Sequence, residues 1–169
     1  MNYYSVTPVL NTHPQIVRDF PLTLEDFLNA NMAVPSHLRT LEHLKPLVAR
    51  LELSESFWRQ FVLFHPDRYG WKMIARNDDV EIALICWLPK QKSGVHPHKN
   101  AALNVTKVLQ GSITQQYYRP DHQRQLVLDQ EVTVGAGEIT WTDRYEYHQL
   151  VNNAEENCIT LHVYTPVRE

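Results

Sequence analysis

The spacing of apolar residues changes near residue 67, and this change divides the chain into two segments. Before it, apolar residues recur at intervals of three and four, as on the buried side of an amphipathic helix. After it, apolar and polar residues alternate in short runs separated by Asn, Asp and Gly, which is typical of strands and tight turns. The pattern predicts a mostly helical segment over residues 1–66 and a β-rich segment over residues 67–167.

Three helices are predicted in the first segment. Thr23 begins the first as part of a capping box, and Ser36 is expected to cap the second. Pro46 should end or kink that helix, because proline lacks the amide hydrogen and clashes with the preceding turn. Ser54 begins the third, whose apolar residues predict a cover over one face of the β-rich segment. Residues 1–22 have no clear periodicity and are predicted to be irregular.

Alternation predicts many short strands in the second segment. They are expected at residues 71–75, 80–88, 104–110, 112–118, 126–128, 131–134, 138–141 and 158–164. Glycines mark turns between several of them. Short strands separated by turns indicate a double-sheet jelly roll or a small barrel. We therefore expect one mainly β domain over residues 1–169, with an N-terminal helical cover.

Composition narrows the classes of protein. A chain of 169 residues with a net charge of −3 is expected to be a single soluble domain. No basic run predicts nucleic-acid binding, and no apolar run approaches the roughly 20 residues that span a membrane. Without a signal-peptide pattern, and with Cys86 and Cys158 in apolar runs, a cytoplasmic monomer or homodimer is expected.

Three histidines are candidates for a metal site. His96 and His98 are two residues apart, so on a strand they would project from the same face. His148 on a neighbouring strand could supply a third nitrogen. Three neutral imidazoles with open positions suit a catalytic divalent metal. The alternative to a metal site is that His96 and His98 are two surface histidines beside a turn.

The last predicted strand carries two different faces. One is apolar, and the other contains Cys158, Thr160, His162 and Tyr164. In a half-buried strand the polar face would lie in water. In a barrel it would line a polar cavity, where His162 and Tyr164 would form a hydrogen-bonded pair.

These residues together resemble the cupin superfamily. Gly94–His98, with Gly111 after the next strand, resembles the first cupin motif, and Gly137–Asn152 resembles the second. Many cupins carry a metal-binding glutamate after the first histidines, but residues 102 and 103 are Ala and Leu here. A three-histidine site without glutamate resembles the thiol dioxygenases, of which cysteine dioxygenase is the best known. The resemblance covers roughly residues 55–167, and it implies the cupin double-stranded β-helix.

The resemblance also implies a chemistry. His96, His98 and His148 would bind Fe(II), although zinc and nickel also occupy histidine sites. The small-molecule substrate would be a thiol, oxidised by O₂ to a sulfinate. Thr160, His162 and Tyr164 would match the serine–histidine–tyrosine triad of the family, whose tyrosine hydroxyl faces the substrate. Four further stretches are similar to the family: Arg68–Gly70, Ile85–Trp87, Val108–Gly111 and, most specifically, Leu161–Pro166.

Two positions depart from the family and are predicted to affect substrate binding. Trp71 stands where cysteine dioxygenases have an arginine that binds the substrate carboxylate, and an indole offers only one neutral donor. Counting back along the strand puts Asn104 at the position of the cysteine that cross-links to the tyrosine in mammalian enzymes; counting forward from His98 gives Leu103. Free cysteine is therefore not expected to be the best substrate.

Two other functions remain open at this point. One is a three-histidine cupin dioxygenase for a non-thiol small molecule that stacks on Trp71. The other is a non-catalytic cupin that binds a metal or a small ligand. A fold alone does not distinguish them.

Overall fold

The computed structural model describes residues 20–98 and 102–167. Helices come first in the chain and strands come after them. The helices are α1 (Leu24–Met32), α2 (Leu41–Arg50) and α3 (Glu55–Trp58). The strands are β1 (Gly70–Arg76), β2 (Glu81–Trp87), β3 (Leu103–Gln110), β4 (Ser112–Pro120), β5 (Leu126–Gly135), β6 (Ile139–Thr142), β7 (Tyr147–Val151) and β8 (Cys158–Thr165).

The strands form two antiparallel sheets. One has five strands in the order β1-β2-β8-β3-β6, and the other has three in the order β5-β4-β7. The mainly β architecture with a helical N-terminal region confirms the predicted fold class. Among the described residues, no helix combines the length and the apolar character needed to cross a bilayer.

Side-chain caps explain where the helices begin. Thr23 Oγ1 accepts from the backbone N–H of Asp26 at 3.1 Å and completes the predicted capping box. The cap of α2 is Thr40, not Ser36, because residues 36–38 form a separate 3-10 turn. The helix runs through Pro46 to its end at residue 50, so the expectation that this proline ends it is wrong.

The strands lie close to the predicted ranges, with two differences. Strand β7 is absent from those ranges, although His148 is expected on a neighbouring strand. Strand β5 is continuous over ten residues, whereas the alternation predicts two shorter strands, because Gln130 still pairs with Tyr117 of β4. Gly111 has φ +76° in the turn between β3 and β4, and a Cβ there would lie 2.7 Å from the backbone oxygen of Asn157. The predicted irregular segment 1–22 lies mostly outside the described residues.

Strand β8 separates two apolar clusters. On one side, helical residues such as Phe27 and Leu44 pack in the same cluster as Leu161 and Val163. On the other side, Cys158 packs inside the barrel with residues from both sheets. The whole strand is buried. Its polar face therefore lies inside the barrel and not in water, and the helices cover the outer face of the five-stranded sheet.

Arg39 ties the helical segment to the end of β8. This side chain is buried, and its guanidinium donates to the backbone oxygens of Asn31 and Val34 at 3.0 and 2.8 Å. It also donates to Thr165 Oγ1 at 3.0 Å and pairs with Asp79 at 3.2 Å. One side chain thus connects the helical cover with two parts of the sheet.

We expect Arg39→Met to lower the free energy of unfolding by about 3 kcal/mol, because several buried acceptors lose a charged donor. The measurement is urea unfolding. Arg59→Met is the matched control, since Arg59 makes an exposed pair with Glu55 and exposed pairs contribute roughly 0–1 kcal/mol. Equal losses in the two variants would contradict this account of Arg39.

Candidate metal centre

The segment before the first two histidines is held along β7 by backbone hydrogen bonds. Ser93 N–H donates to Leu150 O at 2.9 Å, and His96 and His148 exchange two bonds of 3.0 and 3.1 Å. His96 therefore lies in an isolated β-bridge rather than in a regular strand. The bridge places its side chain beside that of His148, so the predicted neighbours do meet.

The side-chain nitrogens of His96, His98 and His148 converge. One ligand nitrogen from each lies within 4.8 Å of the others, and Nε2 of His98 is 3.1 Å from Nε2 of His148. Two nitrogens on adjacent positions of one ion are roughly 3 Å apart, since metal–nitrogen bonds are about 2.1 Å long. The spacing fits a divalent metal ion held by three imidazoles.

Hydrogen bonds at the second ring nitrogens orient two of these rings. His96 Nδ1 is 2.8 Å from the Gly94 carbonyl oxygen. A carbonyl only accepts, so Nδ1 carries the hydrogen and Nε2 keeps its lone pair. Nδ1 of His148 contacts Thr142 Oγ1 at 2.9 Å, and Gln115 Nε2 donates to the same hydroxyl at 2.8 Å. Such outer contacts are typical of metal-binding histidines.

The charge state of His148 also suits a metal ligand. Burial lowers the pKa of His148 well below the usual value for histidine, and the nearby His98, His96 and His162 lower it further. The ring is therefore neutral at physiological pH, and the neutral imidazole is the form that binds a metal.

The predicted triad (Thr160, His162 and Tyr164) is connected by hydrogen bonds next to this group. His162 Nε2 is 2.9 Å from Thr160 Oγ1, and Nδ1 is 3.2 Å from the Tyr164 hydroxyl. Trp87 Nε1 donates to Thr160 Oγ1 at 2.9 Å. The Tyr164 ring meets His98 edge-on, with 5.2 Å between ring centroids. The triad thus touches the histidine group directly.

A cavity of about 50 Å³ opens between the histidines and the first strand. Its lining residues are Tyr69, Trp71, Ile85, Trp87, Ser93, His96, His98, His148, Leu150, His162 and Tyr164. Among residues 20–98 and 102–167, no Lys, Arg, Asp or Glu belongs to this lining. Trp71 is 39% exposed, so this part of the lining also contacts solvent.

The two predicted substrate-binding residues occupy different places. Trp71 lines the cavity. Asn104 does not belong to the lining; it is fully buried, and its side-chain amide donates to the Val163 carbonyl at 3.2 Å. A role for Asn104 in substrate binding stays a prediction, and its position behind the cavity wall favours a supporting role instead.

Sequence reasoning missed three polar residues that support the site. Thr142 and Gln115 stand behind His148, and Thr106 contacts Nδ1 of His162 at 3.1 Å. All three are buried. A signal was present for Thr106, because it alternates with Asn104 on a strand predicted to belong to the barrel.

Comparisons with solved structures show which fold the chain has. A protein of Thermus thermophilus is 16% identical with a TM-score of 0.56, and the match covers 69% of this chain and 98% of that one. A protein of Bacillus halodurans is 12% identical with a TM-score of 0.55, covering 70% and 83%. A cupin superfamily protein of Desulfitobacterium hafniense is 12% identical with a TM-score of 0.50, covering 63% and 84%. The chain has the cupin fold.

A comparison with models of protein families identifies the family to which the chain belongs. The sequence model of the family described as cysteine dioxygenase type I matches residues 31–168, which is most of the chain. The chain belongs to this family, which confirms the resemblance seen in the sequence.

We expect His96→Ala, His98→Ala and His148→Ala each to weaken Zn²⁺ binding by about 100-fold or more, since changes even to the outer contacts of metal ligands cost roughly 10- to 100-fold. Isothermal titration calorimetry gives the affinity, and thermal unfolding should stay cooperative. His122→Ala, at an exposed position outside the group, should bind like the wild type. Undiminished Zn²⁺ affinity in His148→Ala would exclude His148 as a ligand.

Proposed function

We propose that this protein is an iron-dependent thiol dioxygenase that converts a small thiol into a sulfinate. In this reaction the sulfur loses four electrons, O₂ gains four, and both oxygen atoms end on sulfur. The observation that carries the proposal is the group of His96, His98 and His148 facing a small cavity beside Tyr164. The group contains no carboxylate among the described residues, and membership of the cysteine dioxygenase type I family supports the same reaction.

The three histidines would hold Fe(II), which when bound supplies the site for the thiolate and the activation of O₂. The protein supplies the surroundings. Aromatic and aliphatic side chains such as Tyr69 and Leu150 form part of the cavity wall. The Tyr164 hydroxyl contacts His162, and the Tyr164 ring packs edge-on against His98, one of the three histidines.

The lining of the cavity favours a substrate without a carboxylate. A charge that enters a cavity loses hydration, and this loss is costly unless paired donors replace it. Arginine offers two parallel charge-assisted hydrogen bonds, whereas Trp71 offers one neutral donor. The described lining contains no lysine and no arginine. We infer that a thiol such as cysteamine is a better substrate than cysteine.

The test is oxygen uptake by Fe(II)-loaded protein with cysteamine and with ethanolamine, which carries a hydroxyl in place of the thiol. We expect uptake of one O₂ per cysteamine, a product heavier by two oxygen atoms, and none with ethanolamine. Uptake with non-thiols alone would instead favour a non-thiol dioxygenase. Tight metal binding without any uptake would favour a binding protein.

Trp71→Arg should raise kcat/KM for cysteine by about 10- to 100-fold, because hydrogen bonds to charged groups are worth roughly 1.5–3 kcal/mol. The value for cysteamine should not rise with it. Trp71→Phe is the matched control, since it removes the indole donor, keeps an aromatic ring and adds no cation. Efficient cysteine oxidation by the wild-type protein would contradict the role assigned to Trp71.

A further inference from the structure

Strand β3 supports the triad from behind. Thr106 lies directly opposite His162 in the register between β3 and β8, and Asn104 lies opposite Tyr164. Both β3 residues are fully buried, and neither lines the cavity. Thr106 contacts His162, and Asn104 contacts Thr106, without either being placed to contact a substrate.

The donor and the acceptor can be assigned in two hydrogen bonds of Asn104, because the Val163 carbonyl oxygen and the Asn104 amide oxygen can only accept. Asn104 Nδ2 donates to the Val163 carbonyl oxygen at 3.2 Å, so Asn104 Oδ1 faces the Thr106 hydroxyl at 3.0 Å. An amide oxygen carries no hydrogen. The hydroxyl hydrogen of Thr106 is therefore directed at Asn104.

This direction determines which nitrogen of His162 carries a hydrogen. Thr106 Oγ1 is 3.1 Å from His162 Nδ1. Since the Thr106 hydrogen is engaged with Asn104, the oxygen accepts here, and Nδ1 must be the donor.

The Thr160 hydroxyl lies 2.9 Å from the other nitrogen of His162, Nε2, and 3.4 Å from the Ile85 carbonyl oxygen, so its hydrogen goes to Nε2, the nearer acceptor. The Thr160 oxygen accepts from Trp87 Nε1 at 2.9 Å. This assignment of hydrogens satisfies the shorter contacts and leaves only the 3.4 Å approach of Thr160 Oγ1 to the Ile85 carbonyl without a hydrogen.

The same assignment sets the role of the Tyr164 hydroxyl. Its oxygen lies 3.2 Å from His162 Nδ1. A nitrogen that carries a hydrogen cannot accept another, so the phenol oxygen shares the Nδ1 hydrogen with Thr106 in a three-centre bond, and its own hydrogen is not used in this contact. We propose that Thr106, held by Asn104, is a positioning residue that keeps His162 in the Nδ1–H tautomer, so that the Tyr164 hydroxyl accepts from His162 and its own hydrogen points away from that ring. The inference rests on the proposed function only for the use of that hydrogen in turnover.

The tautomer can be measured without metal and without activity. Long-range ¹H–¹⁵N correlation spectra of metal-free protein at about pH 8.5, two units above the usual histidine pKa, distinguish the two forms. We expect the Nδ1–H form in the wild type and in Thr106→Ser, which keeps the hydroxyl. Thr106→Val removes the hydroxyl oxygen that accepts from His162 Nδ1. Tyr164 can then donate to Nδ1, and His162 should shift to the Nε2–H form.

Two further variants make the measurement specific. Asn104→Leu removes the acceptor that holds the Thr106 hydroxyl, so Thr106 can turn and donate to His162, which also gives the Nε2–H form. Thr114→Val removes a buried hydroxyl that contacts Thr133 and Asn153 instead and should leave the tautomer unchanged. An Nε2–H form in the wild type, or an unchanged Nδ1–H form in either folded variant, would overturn the inference.

Turnover then separates this inference from the proposed function. With Fe(II)-loaded protein and cysteamine, Thr106→Val should lower kcat by about 10-fold or more, as loss of outer contacts does at metal sites, with little change in KM. In a Tyr164→Phe background the same substitution should cost nothing more, because the hydrogen it directs is absent. A full additional loss there would count against the inference. If the tautomer shifts as expected but no form consumes a thiol, the positioning stands and the proposed function fails.

Discussion

The burial of both faces of β8 is the constraint on which the site depends. Its apolar face packs in one cluster with the helices, and its polar face lies inside the barrel. A buried polar group costs free energy unless it is hydrogen-bonded. Thr160, His162 and Tyr164 must therefore find partners within the barrel, and Trp87 and Thr106 are among those partners. The hydrogen bonds that compensate for burial of these three side chains are therefore the same bonds that orient them.

The three histidines are brought together mainly by backbone pairing between β7 and the segment that precedes His98. The segment leading to His96 has no strand of its own and is aligned by its bonds to β7. Because His148 lies on β7, the alignment brings histidines about fifty residues apart in the chain to one point. The Gly94 carbonyl and the Thr142 hydroxyl then orient two of the rings. Mobile side chains without such contacts would lose entropy on binding a metal.

The sequence predicted the parts of this arrangement that depend on local periodicity. Alternation identified the two faces of β8, and the spacing of His96 and His98 identified the candidate site. Predictions failed where a partner strand decides the outcome. Strand β5 is continuous because it pairs with β4, and Thr106 matters because it lies opposite His162, 56 positions away. Helix α2 continues through Pro46 because a single missing amide hydrogen does not end a helix that packs on the sheet.

The positions of the histidines and of Trp71 explain how substrate choice can change without loss of the metal site. The histidines lie on β7 and on the segment paired with it, and the triad lies on the central strand β8. Trp71 lies on β1, an edge strand that pairs with β2 alone in its sheet. A substitution there alters the far side of the cavity but no contact that orients a histidine. Under the proposed function, arginine and tryptophan at this position would therefore select thiols with and without a carboxylate, while the contacts of the three histidines stay the same.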